Sequence, residues 1–68
     1  MIKDPKVGMK VRNTKGTDHT IYTIKAIDQS DPDPRNHFVD LEIGQWRTTW
    51  HLESFQEDWE EFKQAFES

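Results

Sequence analysis

The sequence predicts a mainly β domain of α+β type: a small antiparallel barrel or curved meander of four to five strands, with one C-terminal amphipathic helix. Three observations predict it. Short stretches alternate apolar and polar residues between clusters of turn formers, the pattern of half-buried strands. Eight aromatic residues stand in a chain of 68 that is only 32% apolar, so large rings must supply much of the core. The last aromatic residues then change from the strand period to the helical one. A chain of this length makes one domain, residues 1–68, with the sheet expected over 6–53 and the helix over 54–67.

Each element has its own signal. Val7, Met9 and Val11 alternate with Lys10 and Arg12, which predicts a first strand. Residues 13–18 are turn formers, with Gly16 available for a positive φ. Residues 19–28 are the most β-prone stretch, and both faces are apolar: Tyr22, Ile24 and Ala26 on one, Ile21, Thr23, Lys25 and Ile27 on the other. That predicts a central, strongly bent strand. Pro32 and Pro34 deny residues 29–36 a ladder and predict a rigid, extended, exposed loop. Residues 37–43 alternate again, with Val39, Leu41 and Ile43 inward and Asp40 and Glu42 outward. Gly44-Gln45 predicts a tight turn, after which Trp46, Thr48, Trp50 and Leu52 share one face, and Arg47, Thr49 and His51 the other. Phe55, Trp59, Phe62 and Phe66 then fall on one helical stripe. Ser54 is placed to cap that helix, with Glu57 completing a capping box, and Glu57, Asp58, Glu60 and Glu61 near the positive end of its dipole.

This order of strands, from the Val7-Gly8 start through the Gly44 hairpin, resembles small SH3-like barrels such as Tudor and KOW modules over residues 6–53. The resemblance implies an SH3-like barrel. It carries over no binding residue, and the C-terminal helix lies outside it.

Composition narrows the function classes. The chain has no cysteine, so neither a disulfide nor a thiolate metal site supports the core, and a reducing, cytoplasmic setting is expected. No apolar run approaches the roughly 20 residues that cross a bilayer. Residues 1–6 lack the apolar stretch of a signal peptide. The small apolar share leaves both a monomer and a homodimer open. The net charge of −4 conceals a polarity: residues 1–27 carry six Lys/Arg against two acids, residues 28–68 three against eleven.

No catalytic signature appears. There is no Cys nucleophile, no Gly-x-Ser-x-Gly elbow and no phosphate loop, and Ser30, Ser54 and Ser68 fall in a loop, a cap and a tail. An enzyme, a cofactor and a metal are all unexpected. His19, His37 and His51 lack the spacing of metal ligands, and Asp31 and Asp33 lack the oxygen series of a calcium loop. What remains are surfaces. Trp46 and Trp50, with Tyr22 or Phe38, can form an aromatic cage or stacking platform; the favoured reading puts them in the core that receives Phe55, Trp59 and Phe62. The acids Glu57, Asp58, Glu60 and Glu61 can dock a basic partner. The expectation is a non-enzymatic protein-interaction module using Trp46, Arg47, Trp50 and His51 on the hairpin and those four acids on the helix. In composition it is like small accessory or inhibitory proteins of bacteria and their phages. The alternative is a nucleic-acid-binding SH3-like domain using Lys10, Arg12, Lys15 and Arg47. The negative net charge opposes it.

Overall fold

A computed structural model of the chain describes residues 2–16 and 20–63. The elements are β1 (Lys10–Asn13), β2 (Tyr22–Asp28), a 3-10 turn (Pro34–Asn36), β3 (Phe38–Ile43), β4 (Trp46–His51), α1 (Leu52–Asp58) and β5 (Trp59–Glu61). All five strands join one antiparallel sheet in the order β4-β3-β2-β1-β5. The mainly β class, with one α-helix after the hairpin among the described residues, is therefore as the sequence predicts.

The bend of the central strand has a specific origin. Ile24 pairs with Leu41 and Ala26 with Asp40, so Lys25 is an extra residue, a bulge. The bulge reverses the alternation. Ile24 and Ile27, expected on opposite faces, both turn to the side of Leu41 and Val39, while Ala26 turns out. One inserted residue thus lets a strand with two apolar faces serve one core.

That core holds Ile2, Val11, Ile24, Val39, Leu41, Leu52, Phe55 and Trp59, with Met9, Tyr22, Ile27 and Trp50 packed against it. β4 and β5 end the sheet order, and among the described residues no ladder joins them. They meet instead through rings: Trp50 and Trp59 lie edge to face, centroids 5.5 Å apart. The curled sheet is closed by an aromatic contact in place of backbone pairing.

Three expectations are corrected. The first strand starts at Lys10, because Gly8 takes a φ of 94° and turns the chain. The Gly8 N–H still reaches the Ile24 carbonyl at 2.8 Å, but Val7 is 64% exposed. The loop over residues 29–36 is not extended. Pro34 opens a 3-10 turn capped by Asp33, whose carboxylate accepts from the Arg35 N–H at 3.0 Å.

The helix is the largest correction. It spans Leu52–Asp58, so the predicted stretch 54–67 is not one helix; residues 64–67, with Phe66, lie outside the described residues. Ser54 is inside the helix, and His51 occupies the cap position without a side-chain bond. The Leu52 N–H is met by the His37 carbonyl at 2.8 Å. Glu57 and Asp58 consequently sit at the negative end of the dipole, where acids do not support a helix. The chain leaves the helix at Trp59 and pairs with β1, Arg12 opposite Glu60 and Asn13 opposite Trp59. Pairing along an open strand outweighs the helical stripe.

Candidate binding cleft

Register fixes which side chains face inward at the open end of the sheet. On β4, Trp46, Thr48 and Trp50 stand opposite Ile43, Leu41 and Val39, and so share the core face. On β1 and β2, Asn13 stands opposite Trp59 and Tyr22 opposite Val11. Where the two halves of the curled sheet diverge, Asn13, Gly16, Thr20, Tyr22, Thr48, Trp50 and Trp59 enclose a cleft of about 240 Å³.

Three rings shape it. The Trp59 ring meets Tyr22 at 5.4 Å and 77°, and Trp50 at 5.5 Å and 79°. Phe55 supports Trp59 from the core at 5.5 Å. Trp59 is 2% exposed, and its indole Nε1–H has no hydrogen-bond partner among the described residues. A buried donor without an acceptor costs about 1–3 kcal/mol, which makes it a marker of function or of a missing partner. Two positions beyond Thr48, about 7 Å along the strand, Trp46 continues the same row and is 78% exposed. The favoured core assignment of Trp46 and Trp50 therefore fails for Trp46, and Trp50 is half-buried; of the rings expected to meet them, Phe55 and Trp59 are buried and Phe62 is half-buried.

The charged candidates form a rim of mutual pairs. Arg12 and Glu60, opposed across β1 and β5, share a guanidinium–carboxylate pair in which Arg12 Nε donates to Glu60 Oε1 at 3.0 Å. Lys15 Nζ lies 3.0 Å from the Asp58 carboxylate. The Arg12 hydrogen bonds hold the Glu60 carboxyl below its ordinary pKa, and Asp58 raises that of Lys15. Lys10 donates to Thr23 Oγ1 at 2.7 Å on an exposed strand face. Two of the four nucleic-acid candidates are thus engaged by two of the four acids. A depression of about 300 Å³ around the Arg12–Glu60 pair adjoins the cleft, sharing Asn13 and Gly16 with it.

The other predicted residues lie elsewhere. Arg47 faces outward with its Nε 3.4 Å from Glu42, and the His51 ring packs on Phe38 at 4.9 Å, so Phe38 is no part of the aromatic group. Glu57 and Glu61 are exposed. His37 Nε2 meets the Asp31 carbonyl at 2.6 Å, and His19 lies outside the described residues. No group of three metal-ligating side chains converges among the described residues. The Asp31 and Asp33 carboxylates satisfy their own turns. A second depression, about 380 Å³, is lined by Ile2, Lys3, Glu53, Gln56 and Glu57 and has no ring.

Sequence reasoning named Tyr22 and Trp50 together but assigned Trp59 to a helix, and it missed Asn13, Gly16, Thr20 and Thr48. The bulge and the β1–β5 register bring these together, and neither has a local sequence signal. No protein-family model, no curated protein and no solved structure matches the chain. Among the described residues no helix is long and apolar enough to cross a membrane.

Proposed function

We propose that this chain is a small non-enzymatic interaction module that binds a segment of a partner protein in the Tyr22–Trp50–Trp59 cleft, with Trp46 extending the contact. The observation that carries the reading is the cleft itself, walled by the Tyr22, Trp50 and Trp59 rings where the sheet edges diverge. A peptide supplies what such a cleft can hold: an apolar side chain against its aromatic walls. Exposed Trp and Tyr at the edge of a rigid scaffold are the usual anchors of protein interfaces. A polyanion fits less well, because Arg12 and Lys15 would have to give up Glu60 and Asp58 to meet phosphates.

Selection from a random linear peptide library on the immobilised protein tests the proposal. Peptides are expected that bind the native chain and lose at least about tenfold in affinity, or 1.4 kcal/mol, with Tyr22→Ala. An empty selection would contradict the reading. So would labelled DNA or RNA binding with a steep salt dependence that Arg12→Glu abolishes.

A further inference from the structure

The outer edge of β4 points to a second interaction, beside the cleft. The hairpin turn is Gly44-Gln45, with Gly44 at φ 58°, and Ile43 and Trp46 are the pair that flanks it. In a two-residue hairpin that flanking pair exchanges both backbone bonds, and the bonds then recur at every second pair. Trp46, Thr48 and Trp50 therefore spend their backbone groups on β3. Arg47, Thr49 and His51 direct theirs away from it, along an edge that no described strand covers. Edge strands are normally blunted by proline, lysine, a bulge or short length. β4 has six residues, Trp-Arg-Thr-Thr-Trp-His, and none of these devices. Its single formal charge, on Arg47, is matched by Glu42.

We propose that β4 pairs antiparallel with β4 of a second copy of this chain, about a twofold axis at Thr48. The strand is complementary to itself in that register. Arg47 faces Thr49 of the second copy, and each exchanges both outward backbone bonds. Trp46 faces Trp50 of the second copy, and the symmetry repeats the contact. These are non-hydrogen-bonded positions, where opposed side chains approach most closely, and aromatic pairs there are favourable. Sliding two residues one way sets Arg47 against Arg47. Sliding two residues the other way sets Trp46 against Leu52, which belongs to α1. Of these three registers, only the one centred on Thr48 gives the exposed Trp46 an aromatic partner.

The area sets the strength. Each Trp46 brings roughly 150–250 Å² to the contact, while stable interfaces bury about 1,200–2,000 Å² in total. The two rings and the paired edges therefore make a concentration-dependent dimer. Because Trp50 also lines the cleft, Trp46 of the second copy reaches the cleft rim, and self-association and ligand binding compete.

Sedimentation velocity from micromolar to millimolar protein tests the pairing. The native chain is expected to move from monomer to dimer mass as concentration rises. Thr49→Pro removes an N–H that only the second copy uses and leaves the backbone bonds to β3 in place, at the loss of the exposed Thr49 Oγ1–Asp40 hydrogen bond. Trp46→Glu places a charge in the pair without touching the core. Each is expected to raise the dissociation constant at least tenfold with an unchanged circular dichroism spectrum. A monomer at every concentration, or a dimer that neither substitution weakens, would overturn the proposal.

Discussion

The two most informative residues are both tryptophans, and burial separates them. Trp59 is packed between Phe55, Tyr22 and Trp50, whereas Trp46 projects from the hairpin. Phe55→Ala beneath Trp59 removes a fully buried ring and should cost about 3–5 kcal/mol, read as a lost or strongly lowered unfolding transition. Trp46→Ala at dilute protein should stay within about 0.5 kcal/mol of the native chain. Equal effects in the same denaturation series would contradict the burial assignment. The carboxylates make a pH prediction. Arg12 lowers the Glu60 pKa, Ser30 that of Asp28, and Arg35 that of Asp33, in each case chiefly through side-chain hydrogen bonds. A group with a lowered folded pKa stabilises the fold above its unfolded value and loses that contribution as pH falls through the folded one. Denaturation midpoints should therefore fall below about pH 4. Glu60→Gln should make that acid limb shallower, and an unchanged limb would count against the pair. At this scale the sequence was partly legible. It marked Val39, Leu41 and Leu52 by alternation, but it had no means of telling that Trp46 lies past the end of the core.

At the scale of elements, the strands of the β3–β4 hairpin were the most legible. Their alternation is regular and Gly44 sets the turn; Gly44→Ala should cost about 1–2 kcal/mol through its positive φ, measured as a lower denaturation midpoint. The C-terminal stretch was the least legible. Phe55, Trp59 and Phe62 have helical spacing, yet only Phe55 lies in α1. The Thr14 N–H donates to the Asp58 carbonyl and the Phe62 N–H to the Lys10 carbonyl, each at 2.8 Å, framing β5 against β1. That competition is decided by a strand some 45 residues away in sequence, which no local pattern reports. The central strand is bent as expected, but its assignment of Ile24 and Ile27 to opposite faces failed for a similar reason, since the Lys25 bulge appears only in the pairing with β3. Backbone carbon chemical shifts provide the check. Residues 59–61 should show strand values, and helical values running on through Phe62 would contradict the assignment.

For the whole molecule, the charge polarity of the sequence is partly folded onto itself. The basic first strand and the acidic C-terminal stretch meet in the Arg12–Glu60 and Lys15–Asp58 pairs, while Glu57 and Glu61 stay exposed. What remains distinctive is the aromatic mouth of the curled sheet, assembled from β1, β2, β4 and β5 together. Its parts were visible as residues in the sequence; their convergence depended on the bulge and on β5. Three tryptophans give three indole N–H signals in a ¹⁵N spectrum, and these report on the cleft directly. Titration with peptides selected by the native chain should shift the Trp59 and Trp50 indole signals and the amides of Asn13, Tyr22 and Thr48. Shifts confined to the outer face at Arg47 and His51, or to Glu57 and Glu61, with both indoles unmoved, would contradict the cleft as the binding site.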